Sequence, residues 1–498
     1  MNIAGLDIGT TGCKLAVYDG QAVLLSTYYT EYPATHRGGE HEIDFNAVRQ
    51  GVLELLQRAA GEHRLDAVGV TSFGESFAML DDRDTVLAPS MLYTDPRGGE
   101  ECAALAAALG EQRITAITGT QPHPMYSLAK LLWHRAHNPA LFARCRRVLL
   151  GQDYIVYTLT GTAQIDYSLA ARTGALDIRR LCWSPEVFAA AGIDPALFSQ
   201  PVPAGTPAGT LRPELARQLG IDYPVTVVSG CHDQVAAMLG SGVFSGDQAM
   251  DGTGTVECIP VLFDRVPQEP ALYAQGYSVV PYPGGRYACY ALSFTGGATL
   301  KWFRDTFAAA EAAEAAAHGQ NIYALLDSRV PPQPTGLLVL PHFAGAATPY
   351  MDSQAKAAIL GLTLETDSAA VYKALMEGTA FEIRQNFAVL QQYSGRIRTV
   401  RATGGGAASA VWLQIKADVL GTDITALACK EVGAAGTAAL CGVAVGAYPA
   451  LPETVARMAP VRQIFHPQAE NAAIYDRQYR QYAGLYRAIK HLQKSEEE

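Results

Sequence analysis

The chain has 498 residues, 49% apolar and 17% charged, with a formal net charge of −10. That length exceeds what one hydrophobic core serves, so two large domains are expected. The acidic balance argues against a nucleic-acid surface, and no run of about 18 apolar residues is present to span a membrane. The amino terminus lacks a basic segment before an apolar stretch, so no secretory signal is expected. Nine scattered cysteines, with no C-x-x-C pair, read as reduced thiols of a cytoplasmic protein.

The first stretch carries a chemical signal. Asn2-Ile3-Ala4-Gly5-Leu6 and Leu15-Ala16-Val17-Tyr18-Asp19 flank Asp7-Ile8-Gly9-Thr10-Thr11-Gly12-Cys13-Lys14. Short apolar runs broken by glycine predict strand, tight turn, strand. Glycines let the backbone approach an anion, and turn N–H groups form a concavity that favours negative charge. The Thr10 and Thr11 hydroxyls add donors, and Asp7 puts a carboxylate where a phosphate-bound Mg²⁺ needs one. An ordinary glycine hairpin with a solvated aspartate fits the same residues.

Asp44 to Glu62 has helical spacing, and Ala67 to Thr71 reads as a buried strand. In α/β folds, ligands collect beyond the carboxyl ends of strands. Glu75 lies there, as a ligand-holding residue or as a turn carboxylate. Asp95 and Arg97 share a later polar turn, placed to pair with each other or with a ligand. Met125 to Trp133 suits a buried helix. His134 and His137, three apart with no further ligand evident, read as a solvated pair rather than a metal site. Asp153 to Gly161 reads as a helix ended by glycine, followed by a polar turn holding Asp166, Ser168 and Arg172. Val225 to Gly230 is the next strong strand, ending in Cys231-His232-Asp233-Gln234 before a small-residue helix. Asp233 has two readings: a helix cap, or a general base.

Gly240-Ser241-Gly242 and Ser245-Gly246 suit a hinge. Gln248 to Thr255 then repeats the opening logic, with Asp251-Gly252-Thr253-Gly254 as its turn. This looks like an internal duplication near the midpoint. A third glycine turn, Thr403-Gly404-Gly405-Gly406-Ala407, precedes a helix that begins near Ala410, an arrangement that suits a nucleotide lying against the backbone. Neither a P-loop nor a G-x-G-x-x-G fingerprint is present. Ala308 to Ala317 reads as a solvated helix, and the charged tail from Lys494 to Glu498 is expected to fray.

Taken in order, these motifs resemble those of the FGGY carbohydrate kinases, members of the sugar kinase, Hsp70 and actin superfamily. The resemblance runs from the opening loop to about Gly446. Asp7-Ile8-Gly9-Thr10-Thr11 looks like the first phosphate loop and Asp251-Gly252-Thr253-Gly254 like the second. Met125 to Trp133 is similar to the first family signature. Gly361-Leu362-Thr363 with Glu377 to Phe381 is similar to the second. Gly404-Gly405-Gly406-Ala407 through Asp418 resembles the adenosine-binding loop and helix. Asp233 stands at the place of the catalytic base. Ala346-Ala347 stands where members often carry Glu-Arg. Gly74-Glu75-Ser76-Phe77 stands where xylulokinases usually carry Met-His. Glu75 and Gln234 look more like the polyol-gripping residues of glycerol kinases, without the arginine those place just before the glutamate.

The resemblance implies an α/β fold of two duplicated ribonuclease H-like (actin-like ATPase) domains with a cleft between them. Residues 1–243 would carry the sugar site, first phosphate loop and base, and residues 244–498 the second phosphate loop and adenine nucleotide. It implies transfer of the γ-phosphate of ATP to a hydroxyl of a small sugar, a ketopentose such as xylulose first among them, with Mg²⁺ as cofactor. Implied roles are Asp233 as base; Glu75, Asp233 and Gln234 on the sugar; Thr10, Thr11, Gly252, Thr253, Gly254, Gly404, Gly405, Gly406 and Ala407 on ATP; and Asp7 on the metal. Sugar and ATP are the implied partners, with no nucleic acid or membrane and a homodimer allowed. Two alternatives stay open. One is a kinase for another polyol, sugar acid or ketose-like signal molecule. The other is a non-catalytic ATP-binding protein of the same fold.

Overall fold

A computed structural model describes residues 1–494; the tail expected to fray lies, from Ser495 onward, outside the described residues. Strand β1 (Ile3–Ile8) turns into β2 (Gly12–Tyr18), and β3 (Leu24–Glu31) follows antiparallel. Helix α1 (Phe45–Glu62) leads to β4 (Ala67–Ser72), parallel to β1. Helices α2 (Ser127–His137), α3 (Gly151–Thr160) and α4 (Tyr167–Ala171) intervene before β5 (Thr206–Thr210) and β6 (Thr226–His232). The sheet runs β5-β6-β4-β1-β2-β3, and α5 (Asp233–Gly240) leaves from the end of β6.

The second half repeats this plan. Strands β7 (Gln248–Thr253) and β8 (Glu257–Phe263) form the hairpin, with β9 (Ser278–Tyr282) and β10 (Arg286–Ser293) beyond it. Helices α6 (Gly297–Phe307), α7 (Ala309–Ala317) and α8 (Ser368–Ser394) precede β11 (Thr399–Thr403), which lies parallel to β7. Then come α9 (Ala410–Leu420), β12 (Asp423–Leu427), α10 (Val432–Ala444), β13 (Val461–Phe465) and α11 (Ala469–Lys494). The sheet order is β9-β10-β8-β7-β11-β12-β13. In both sheets the hairpin has a third antiparallel strand on one side. On the other it has two parallel strands and an antiparallel edge. The duplication seen in two Gly/Thr turns is thus a duplication of whole sheets.

Side-chain alternation along β1 positions the first site. Ala4, Leu6 and Ile8 enter the core with Val48, Val52 and Leu55 of α1. Ile3, Gly5 and Asp7 face the other way, where α10 covers the sheet although it lies more than 400 residues later. The approach is so close that only glycine fits. A Cβ on Gly5 would lie 2.0 Å from the Ala434 carbonyl oxygen. One on Gly240 would lie 1.9 Å from that of Val432, and one on Gly436 2.1 Å from that of Ala236. Helices α5 and α10 therefore cross backbone to backbone.

Three local expectations change. The helix expected from Met125 starts at Ser127 and runs to His137. His134 and His137 are not a solvated pair: His134 is buried, edge-on to Trp133, and burial pushes its imidazole down to about 4. Only His137 reaches the surface, stacked on Trp133. Asp166, expected in a plain turn, caps α4 by accepting from the amides of Ser168 and Leu169. Helix α7 exposes most of its length as expected. No helix among the described residues is long and apolar enough to cross a membrane.

Candidate active site

The end of β6 is held from the side by Ser168, whose hydroxyl accepts the His232 amide at 2.9 Å. Asp233 is the first residue of α5, and no side chain caps that helix. Its Oδ1 is buried without a hydrogen-bond partner among the described residues and lies 3.1 Å from His232 Nε2. Burial first, then the charges of Asp7 and Glu75, push the Asp233 carboxyl up to about 8. Burial, then the Arg172 charge, push the His232 imidazole well down, so it is neutral. The other ring nitrogen, Nδ1, lies 3.4 Å from the Tyr290 hydroxyl on β10. The second sheet thereby reaches His232, beside Asp233.

Glu75 follows β4 and takes a left-handed backbone, φ 68°, which a non-glycine residue rarely adopts. The Ser127 hydroxyl holds that turn by donating to the Glu75 carbonyl at 2.6 Å. Arg172 Nε donates to Glu75 Oε1 at 2.6 Å, and its Nη2 contacts the same oxygen. The guanidinium lies over the Tyr126 ring, 5.1 Å from its centre. Its Nη1 is buried without a partner among the described residues. A Cβ on Gly74 would meet His232 Nε2 at 3.1 Å and Arg172 Cγ at 3.2 Å, so these two side chains close over a glycine. Tyr93 stands on the exposed side of the group, and its hydroxyl feels the charges of Glu75 and Asp233. Gln234 is half-buried beside Asp233. Asp95 and Arg97 take the first of their two readings: Arg97 donates to both Asp95 oxygens, at 2.9 and 2.7 Å.

Asp7 lies at the end of β1, against the start of α10. A Cβ on Gly433 would sit 2.4 Å from Asp7 Oδ2, so glycine there makes room for the carboxylate at the positive end of a helix. Burial pushes the Asp7 carboxyl up to about 6 against the opposing pull of Lys14. Lys14 in turn pairs with Glu431 at 2.7 Å. The turn is tight: Gly9 N–H donates to the Gly12 carbonyl at 2.9 Å. Thr10 is half-buried and Thr11 exposed. Mg²⁺ takes oxygen ligands and keeps several waters, binding through one or two carboxylates plus phosphates. A single oriented Asp7 carboxylate fits that mode. No cluster of three or more metal-ligating side chains exists among the described residues.

The second loop is built differently. Thr253 is buried, and its hydroxyl faces inward to Asp251 Oδ1 at 2.9 Å and Glu257 Oε1 at 2.8 Å. Lys416 of α9 donates to the Thr253 hydroxyl at 2.7 Å and pairs with Asp251 and Glu257 at 2.5 Å each. Burial pulls the Lys416 ammonium down, but the two carboxylates outweigh it and keep it charged. Two carboxylates face one cation, and burial raises the Glu257 carboxyl. The glycine turn rests on the same threonine: a Cβ on Gly406 would lie 2.6 Å from Thr253 Cβ, and one on Gly404 2.5 Å from the Thr253 carbonyl oxygen. Gly252, Thr253 and Gly254 therefore lie with Gly404, Gly405, Gly406 and Ala407 at one end of the second sheet. They offer backbone there, since the Thr253 hydroxyl is engaged inside.

Sequence reasoning does not single out Lys416 or Tyr290, and it names Arg172 only as part of a turn. The signals available were a lysine inside an otherwise apolar helix face and an arginine beside Thr173-Gly174. Neither reveals a partner far along the chain.

Residues 2–240 match the N-terminal domain of the FGGY family of carbohydrate kinases, and residues 252–445 match the C-terminal domain. Xylulose kinase of Staphylococcus epidermidis is 26% identical over 503 residues, covering 98% of this chain and 97% of the relative. Gluconokinase of Bacillus subtilis is 28% identical over 438 residues, covering 84% and 83%. The crystal structure of xylulose kinase from Rhodospirillum rubrum matches with a TM-score of 0.88 at 26% identity over 99% of each chain. Two family domains in order, on doubled sheets of one topology, mean that the chain belongs to the FGGY family of carbohydrate kinases and is an ATP-dependent sugar kinase with the two-domain actin-like fold.

Proposed function

We propose that this kinase phosphorylates a hydroxyl of a small ketose, a ketopentose such as xylulose, with Asp233 as general base. The observation that carries the reading is the Asp233 carboxylate at the end of β6, held beside His232 and close enough to Glu75 and Arg172 to feel their charges. Relatives named xylulose kinase and gluconokinase support a sugar acceptor. The Glu75 carboxylate and Gln234 hydrogen-bond sugar hydroxyls. Asp233 takes the proton of the attacking hydroxyl as its oxygen bonds to the γ-phosphorus and ADP leaves. Phosphoryl transfer has a loose transition state, so positioning and charge stabilisation dominate. The backbone amides of Thr10, Thr11, Gly252, Thr253 and Gly254 cradle phosphates, and Gly404 to Ala407 line the adenosine. Asp7 would hold the Mg²⁺, which when bound would supply positive charge to the phosphate oxygens. Residues 1–243 and 244–498 form the two lobes, and the enzyme works in the cytoplasm.

The test is an ATP-to-ADP coupled assay over ketopentoses, ketohexoses, polyols and sugar acids, with a no-sugar control. A ketopentose should rise furthest above that control. A flat panel with intact ATP binding would remove the ketose reading and turn attention to a non-catalytic role.

A further inference from the structure

The relatives divide between acceptors of different charge: xylulose is neutral and gluconate is a carboxylate. The charges around Glu75 bear on that division. Arg172 is buried and spends Nε and Nη2 on one Glu75 oxygen. Arg97 is occupied by both Asp95 oxygens and by Glu42 at 2.7 Å. Lys130 is buried behind them and gives its Nζ to the Asp95 carbonyl at 2.9 Å. Burial lowers its ammonium to about 8. Among the described residues, the guanidiniums of Arg172 and Arg97 are each matched by a carboxylate. An incoming carboxylate finds each guanidinium's charge already matched by a carboxylate and meets the Glu75 carboxylate, joined by that of Asp233 whenever the base is in its ionised, working form. An unpaired buried charge among like charges is strongly disfavoured. A hydroxyl finds the opposite: Glu75 as acceptor and the unpartnered Arg172 Nη1 as donor. Buried donors of this kind normally find a partner.

We propose that the Glu75–Arg172 pair is the charge filter of the acceptor pocket. It admits uncharged ketoses and polyols, one of whose hydroxyls takes the Arg172 Nη1 donor, and refuses aldonates. This deepens, and rests on, the sugar-kinase reading above. Arg172 comes from the end of α4, and it meets Glu75 across 97 residues of chain.

The test compares kcat/KM for D-xylulose and D-gluconate in the wild type, Glu75→Gln and Arg172→Gln, with ATP binding by calorimetry as the check on folding. The wild type should prefer the neutral sugar by about 100-fold or more. Glu75→Gln leaves the guanidinium uncompensated. It should move the ratio toward gluconate by about tenfold or more, even as both rates fall. Arg172→Gln leaves Glu75 unmatched and should move the ratio the other way. The two variants have opposite expected signs, so either one that still binds ATP decides the matter. A wild type faster on gluconate, or a ratio that no folded variant moves, overturns the charge filter while the kinase stands. A wild type that phosphorylates neither sugar, nor any other acceptor, overturns both.

Discussion

Asp233 should give this kinase an alkaline limb. Burial, Asp7 and Glu75 together hold its carboxyl at about 8, and a base must be ionised to accept a proton. At pH 7 about one molecule in eleven then carries the carboxylate, and at pH 9 about ten in eleven. For the free enzyme this predicts that kcat/KM rises about tenfold between pH 7 and pH 9. Asp233→Asn should lower kcat by about 10²- to 10⁴-fold and abolish the limb, while ATP binding persists. Stability should move the opposite way. The folded carboxyl lies above its unfolded value of 3.8, so the folded state binds the proton more tightly. The resulting stabilisation is complete below that unfolded value and is lost as pH rises toward 8. The asparagine variant escapes that loss, so its melting temperature should gain on the wild type from pH 6 to pH 9. The assay is a pH series of initial rates at subsaturating sugar, with thermal melts in the same buffers. A flat wild-type profile from pH 6.5 to 9, or near-normal turnover by Asp233→Asn, would refute the base assignment.

Two further predictions concern the frame. Lys416→Met strands Asp251 and Glu257 without their cation and should cost about 3–5 kcal/mol in urea unfolding. The cost should be larger at pH 8 than at pH 5, where protonation relieves Glu257, whose carboxyl burial raises; a loss below about 1 kcal/mol would mean that water, not Lys416, satisfies these groups. Gly436→Ala drives a methyl to 2.1 Å from the Ala236 carbonyl and should cost about 1–3 kcal/mol. Gly484→Ala in α11 meets nothing within 4 Å and should gain up to about 1 kcal/mol; equal thermal shifts in both variants would remove the close crossing as the cause.

Much of this fold is written in local signals. A glycine turn between two short apolar runs can be read as a hairpin without knowing what packs on it. Two such turns one half-chain apart announce the doubled plan. Strand β6 and the residues that end it are legible for the same reason, and so is the position of Asp233. Its two possible roles separate only in space, where the side chain caps nothing and faces His232 instead. Long-range pairs leave no periodic trace. Glu75 pairs with Arg172 from the end of another helix, 97 residues on. Lys416 meets Asp251 across 165 residues. Thr253 looked like a phosphate-binding hydroxyl because its turn resembles the first, yet a lysine on α9 draws that hydroxyl inward. His134 looked solvated because helical spacing shows which side chains share a face, not what covers that face.

The long-distance docking of α10 also governs how the chain is born. Ile3, Ala16, Ala67 and Val228 form one face of the first sheet, and Ala434, Ala435, Ala438 and Ala439 are what finally cover it. A ribosome has delivered every strand of that sheet by His232, yet the covering helix ends at Ala444. At roughly 5–20 residues per second the intervening two hundred or so residues take about 10–40 s. Throughout that interval the nascent first lobe carries an uncovered apolar strip, a binding surface for chaperones or for a neighbouring chain. The backbone-close seat of α10 on the first sheet can therefore form only after most of the chain has been made, and the wait for it is set by translation.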